Sequence, residues 1–200
     1  GTVTVSFAGI GVSYTMGADE IAQFDTDNDT SDGYSNGDND VLVMELAVEK
    51  LWKDINSGRV TLNTTNKDLL QTGNNISGGG LPSQLIYYST GAEPKQLYNS
   101  DLSDLSQTQI YSELQKAYQS GDYSITFGLY GNGHSAKLTN GENFEIDLGE
   151  GGHALAITDI QQDTVTFVNP WDTSKKYTMS WDEFSKLGIG YMSSADLNNT

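Results

Sequence analysis

Gly152-His153-Ala154-Leu155-Ala156-Ile157-Thr158 and Val165-Thr166-Phe167-Val168-Asn169-Pro170-Trp171 are two apolar runs rich in small and β-branched side chains, with polar Gln161-Gln162 between them. Two such runs around a polar turn predict an antiparallel hairpin. With Gln161 and Gln162 as a two-residue loop, Ala154 faces Asn169 and His153 faces Pro170. The imidazole and the carboxamide then meet at the open end of the hairpin.

An imidazole beside a carboxamide suits the activation of a thiol: the ring accepts the thiol proton, and a fixed Asn oxygen orients the ring through its other N–H. Trp171 stands next door, able to cover that bond and exclude water, which strengthens it. Spacing alone describes a strand-end histidine equally well, with Asn169-Pro170 opening a turn, and taken by itself it favours that plainer reading. The other histidine, His134, lies in Gly131-Asn132-Gly133-His134-Ser135 and is expected to be an exposed side chain in a polar loop.

Outward from the hairpin, alternation of Val3, Val5 and Phe7 with Thr4 and Ser6 predicts an N-terminal strand. Val41, Met44, Val48, Leu51, Trp52 and Ile55 recur at helical spacing, with Asp40 as N-cap and Gly58 beyond the end, which predicts the best-marked helix. Leu81 to Tyr88 reads as a shorter helix. Ser106-Gln107-Thr108-Gln109 is a capping-box pattern ahead of Ile110, Leu114 and Tyr118, with Gly121 at the stop. Tyr123 to Tyr130 reads as a further strand, and Ser180-Trp181-Asp182-Glu183 opens a short helix ending near Gly188. The expected class is α+β, an antiparallel sheet with packed helices.

Asp25 to Asp40 is too acidic to bury anything and is expected to be a loop. Asp25, Asp27 and Asp29 occupy positions one, three and five of a possible calcium loop, with Asp32 a further oxygen donor. Thr30 stands where an EF-hand needs Gly, and Asn36 where it needs a closing Glu. A solvated acidic loop is therefore preferred to a calcium site, and specific calcium binding is expected to be weak or absent.

The chain has 200 residues, with 10 Lys and Arg against 27 Asp and Glu, a net charge of −17. That field repels phosphate backbones and anionic lipid, so neither nucleic acid nor a membrane is an expected partner. The absence of cysteine excludes disulfides, thiolate metal sites and a cysteine nucleophile within this chain. A composition rich in Asn, Ser, Thr and Gly points to a secreted or cell-surface protein. The start at Gly1-Thr2-Val3 lacks an initiator Met and a signal-peptide layout and reads as a piece of a longer precursor.

Gly152-His153-Ala154 followed by Asn169-Pro170-Trp171 resembles the G-H-A and N-P-W segments of calpain-like, papain-superfamily cysteine peptidases of bacterial type. Further similarities follow in the same order. Glu45-Leu46-Ala47-Val48-Glu49-Lys50-Leu51-Trp52 with Asn56-Ser57-Gly58 is similar to that family's E-K-A-Y-A-K helix and its glycine. Ser77-Gly78-Gly79 is similar to its later G-G, and Met179-Ser180-Trp181-Asp182-Glu183-Phe184 to its M-S-F-x-D-F segment.

The resemblance implies that residues 1–200 are the His/Asn-bearing half of a papain-like peptidase domain, with His153 as general base, Asn169 as its orienting partner and Trp171 as their shield. It implies peptide hydrolysis, with protein or peptide as substrate. The nucleophilic Cys would come from an N-terminal lobe absent from this chain, and no cofactor is required. The segment between Trp171 and Met179 is shorter than in animal calpains, so their calcium dependence does not carry over. Two alternatives compete: a non-catalytic secreted binding module, with calcium on the acidic loop, and an inactive peptidase-fold relative.

Overall fold

The computed structural model describes residues 1–27, 39–76, 79–98, 107–119, 121 and 123–197. The chain divides into two compact units, Gly1–Gly91 and Ala92–Asn199. Each unit has a hydrophobic core of its own.

In the first unit the alternating run at the N-terminus forms strand β1 (Thr2–Phe7), paired antiparallel with β2 (Val12–Gly17). Threonine and serine side chains pair across the exposed face, Thr4 with Thr15 at 2.8 Å and Ser13 with Ser6 at 2.9 Å. Phe7 and Met16 are fully buried on the other face. Helix α1 (Ala18–Asp27) follows at once, then α2 (Asn39–Asn56), the one-turn α3 (Lys67–Leu70) and α4 (Pro82–Thr90). Helix α2 forms where the spacing predicts it and buries Leu42, Leu46, Ala47, Val48, Leu51 and Trp52, so that of the stripe read from the sequence Val48, Leu51 and Trp52 face the core while Val41, Met44 and Ile55 are half-buried. The Trp52 indole N–H donates to the Tyr88 hydroxyl on α4 at 3.3 Å. Helix α4 ends on Gly91, left-handed at φ 79°. Gly9 packs so close to that cap that a Cβ on it would lie 2.0 Å from the Gly91 nitrogen, which is why the β1–β2 turn needs glycine there.

Strand β2 repeats the alternation of β1, with Val12, Tyr14 and Met16 against Ser13 and Thr15. One expectation changes here. The acidic stretch is not a loop from Asp25 to Asp40, because α1 runs on to Asp27 and α2 begins at Asn39. Ile21 and buried Phe24 dock α1, and Gln23 donates to the Asp27 carboxylate at 2.7 Å.

The second unit contains strand β3 (Lys95–Tyr98), helix α5 (Gln107–Gln119), strands β4 (Tyr123–Tyr130), β5 (His134–Lys137), β6 (Asn143–Ile146), β7 (Gly152–Ile160), β8 (Thr164–Asn169) and β9 (Asp172–Ser180), helix α6 (Trp181–Ser185) and strand β10 (Tyr191–Asp196). Six strands form one sheet in the order β3-β10-β4-β7-β8-β9, antiparallel at every pairing, and β5 and β6 make a separate hairpin. The protein is thus α+β with antiparallel sheets, as the sequence predicts.

Aromatic side chains from several elements form the second core. The Phe127 ring meets Phe167 at 5.2 Å and Phe184 at 5.0 Å, and Phe144 meets Phe167 at 5.1 Å, all edge to face. Ser180 caps α6 by accepting the Glu183 N–H, as its capping motif predicts. The cap expected at Ser106 lies outside the described residues. No described helix is long and apolar enough to cross a membrane.

Candidate active site

The β7–β8 hairpin exists, but its turn sits one residue further on than expected. Pairs nearest the turn are Ile160 with Val165 and Asp159 with Thr166, and the Gln161 N–H donates to the Thr164 carbonyl at 2.9 Å. Gln162-Asp163 is therefore the turn. Its placement is fixed from outside the hairpin: the Gln115 amide on α5 donates to the Gln161 and Gln162 carbonyls at 3.2 and 3.1 Å, and the Trp181 indole donates to the Gln162 carbonyl at 3.2 Å.

Had that register run on unbroken, His153 would stand level with Asp172 and project to the face opposite Asn169, since one residue of slip inverts a strand's faces. It is broken once. Thr158 is opposed by no residue, and beyond this bulge Ile157 pairs with Phe167 and Ala156 with Val168. Counting on, Leu155 is level with Asn169 and His153 with Trp171, so His153 and Asn169 share a face. The expected facing pairs Ala154–Asn169 and His153–Pro170 are thus both corrected, while the meeting of the two side chains stands.

The His153 Nε2 lies 2.7 Å from the Asn169 Oδ1. That oxygen also accepts the Trp171 backbone N–H at 3.0 Å, across the two-residue turn Pro170-Trp171 that joins β8 to β9. Asparagine before proline suits this turn, because the Asx oxygen takes the N–H two residues on and Pro presets the backbone. The Trp171 N–H can only donate, so the Asn169 atom facing it is the oxygen. The His153 Nε2 therefore carries a proton, and in the neutral ring Nδ1 is left as the basic nitrogen. This backbone donor, together with the Thr158 bulge, is the part of the site that spacing does not disclose.

Asn169 is buried, and the Trp171 ring stacks on the imidazole at 3.9 Å between centroids and 27° between planes. Trp171 itself is 62% exposed, so it covers one face of His153 while presenting its other face to solvent. Burial holds the His153 imidazole below its ordinary value, and the hydrogen bond to Asn169 opposes part of that shift. The ring is thus kept neutral and oriented, the state a general base requires.

His134 is not the exposed loop residue expected from its glycine-rich surroundings. It begins β5, is 9% exposed, and sets both ring nitrogens against backbone carbonyls. Of the acidic residues considered for calcium, Asp25 and Asp27 lie in the last turn of α1, where residues two apart do not face each other. Asp29 and Asp32 lie outside the described residues. Among the described residues no three His, Asp or Glu side chains are grouped so as to hold a metal ion.

Compared with protein-family models and with curated proteins, the sequence matches none.

Proposed function

We propose that this chain supplies the His/Asn part of a calpain-like, papain-superfamily cysteine endopeptidase, whose nucleophilic Cys comes from an N-terminal lobe or a separate chain. The observation that carries the reading is the single Asn169 oxygen that accepts from both the His153 Nε2 and the Trp171 N–H. It fixes the tautomer and orientation of the imidazole and leaves Nδ1 as acceptor. The G-H-A and N-P-W resemblance supplies the chemical context.

In this mechanism the Nδ1 of His153 takes the proton of the incoming thiol, and the thiolate attacks the scissile carbonyl. The imidazolium then returns the proton to the leaving amine, and a thioester forms. His153 next takes a proton from water, whose oxygen attacks the thioester and releases the acid and the thiol. Asn169 and Trp171 hold the ring in place through both half-reactions.

The test uses an unstructured protein substrate with the chain alone and with a Cys-bearing calpain-type lobe. The chain alone should not cleave. The mixture should cleave, and thiol alkylation should stop it. Cleavage by the repurified chain alone, or cleavage by the mixture that persists in His153→Ala, would sink the proposal. A second reading, an inactive peptidase-fold scaffold, rests on the complete absence of cysteine from the sequence. It predicts that no Cys-bearing lobe restores turnover.

A further inference from the structure

The chain has three tryptophans, and two of them are closed. Trp52 and Trp181 are buried and give their indole N–H groups to the Tyr88 hydroxyl and the Gln162 carbonyl. Trp171 is arranged the other way. One face of its ring lies on the His153 imidazole, yet most of the side chain is in solvent. Among the described residues no ring meets its outer face and no acceptor takes its indole N–H. The stack on His153 and the Asx turn at Asn169 hold this ring in one orientation, so its outer face is a fixed apolar plate open to a ligand.

The charge around the plate selects the ligand. Residues 138–174, which carry the β7–β8 hairpin and both its flanks, contain seven Asp and Glu and no Lys or Arg. Asp147 and Glu150 stand exposed in the loop that leads into His153, and Asp172 follows Trp171 directly. Lys175 and Lys176 come later on β9, where the Lys175 ammonium is paired with the Asp172 carboxylate at 3.4 Å. Such a field draws cations and repels anions.

Of the aromatic faces, that of tryptophan attracts a cation most strongly. A guanidinium, planar and weakly hydrated, stacks on it better than an ammonium does. An apolar side chain would cover the indole equally well but would gain nothing from the carboxylates. We propose that the outer face of Trp171 binds a cationic side chain of the peptide substrate, arginine ahead of lysine, so that the site selects basic segments. That the ligand is a substrate rests on the peptidase reading; the binding itself does not.

Trp171 then works from both faces. The inner face holds the imidazole, and the outer face is a specificity surface. A side chain seated there is separated from His153 by a single ring, so binding brings its peptide beside the imidazole.

The test is proton–nitrogen NMR of the full chain, read at the indole N–H signals during titration with capped tripeptides. Their central residue is arginine, lysine, citrulline or glutamate, citrulline keeping the planar shape of arginine without its charge. The Trp171 signal, identified by its loss in Trp171→Leu, should move with the arginine and lysine peptides while those of Trp52 and Trp181 stay. The arginine peptide should bind about three- to tenfold more tightly than the citrulline peptide, and the glutamate peptide should not bind. In Trp171→Leu, followed at the backbone amides of Gly151, His153 and Asp172, the arginine advantage should disappear. Equal affinity for arginine and citrulline overturns the proposal. So does a Trp171 signal that no peptide moves, or an arginine advantage that persists in Trp171→Leu. If Trp171→Leu does not fold, the comparison of arginine with citrulline at the Trp171 signal of the native chain decides. No step needs a cysteine or turnover, so failure here is separable from failure of the proposed function, which the cleavage assay reads.

Discussion

The His153 Nε2 stands 2.7 Å from the Asn169 Oδ1, with one unopposed residue, Thr158, between the turn of their hairpin and the point where they meet. The bond and the bulge are two aspects of one geometry, because without the bulge the native chain would put these side chains on opposite faces of the sheet.

Deleting Thr158 should leave the pair intact. Asp159 would then follow directly on Ile157, matching Thr166 beside Phe167, so every pair on either side of the bulge is retained. Deleting Ala156 instead should move His153 level with Pro170 and send it to the wrong face. Crystal structures of the two deletions check this: a broken His153–Asn169 bond in the Thr158 deletion would refute the register argument.

In a reassembled enzyme, His153→Ala should remove nearly all turnover, since no other group holds the protons of attack and departure. Asn169→Ala should cost about ten- to a hundredfold, the equivalent of one or two hydrogen bonds, because the ring persists but loses its orientation. Comparison of kcat for the two variants tests the order. Equal losses would show that Asn169 does more than orient.

The downward displacement of the His153 pKa by burial has a definite sign for stability. The unfolded chain binds the proton first as pH falls, so the contribution of His153 is present above the unfolded imidazole value, about 6.5, and is lost as pH falls through the folded value. Denaturant midpoints measured from about pH 7 downward should fall less steeply in His153→Gln than in the native chain. Docking of a Cys-bearing lobe should raise the His153 pKa through the nearby thiolate, which NMR titration of the ring can follow.

His134→Ala should destabilise the protein by about 1–3 kcal/mol, because it strands the buried Leu187 carbonyl, releases the part-buried Tyr130 carbonyl and leaves a cavity. Glycine-rich sequence around His134 argues for a harmless substitution, so denaturant unfolding of this one variant separates the local reading from the folded environment.

Two glycines beside the aromatic pair Tyr130 and Tyr191 should respond differently to alanine. A Cβ on Gly128 would lie 1.8 Å from the ring of Tyr191, which is 4% exposed and has nowhere to go, so Gly128→Ala should cost about 1–3 kcal/mol or more. A Cβ on Gly152 would lie 2.5 Å from the ring of Tyr130, which is 54% exposed and can swing away, so that change should cost less. Thermal unfolding of both variants checks the ranking.

The elements most legible from residues alone are those whose signal is local. The helix α2, the alternation of β1 and the Ser180 cap of α6 each follow from side chains a few positions apart, and each element forms where its pattern puts it. The meeting of His153, Asn169 and Trp171 was legible only in part, since one hairpin brings the ends of its strands together but the Thr158 bulge decides that His153 and Asn169 share a face. The register of that hairpin was not, because Gln115 of α5 and Trp181 of α6 hold the turn, and neither is near it in sequence. Nor was the burial of His134, whose partners at Leu187 and Tyr130 belong to other elements. Chain order and side-chain period determine which groups can come to one end of a strand pair. Which nitrogen carries the proton, and which face the ring takes, are decided by hydrogen bonds from donors and acceptors that only the folded chain brings near.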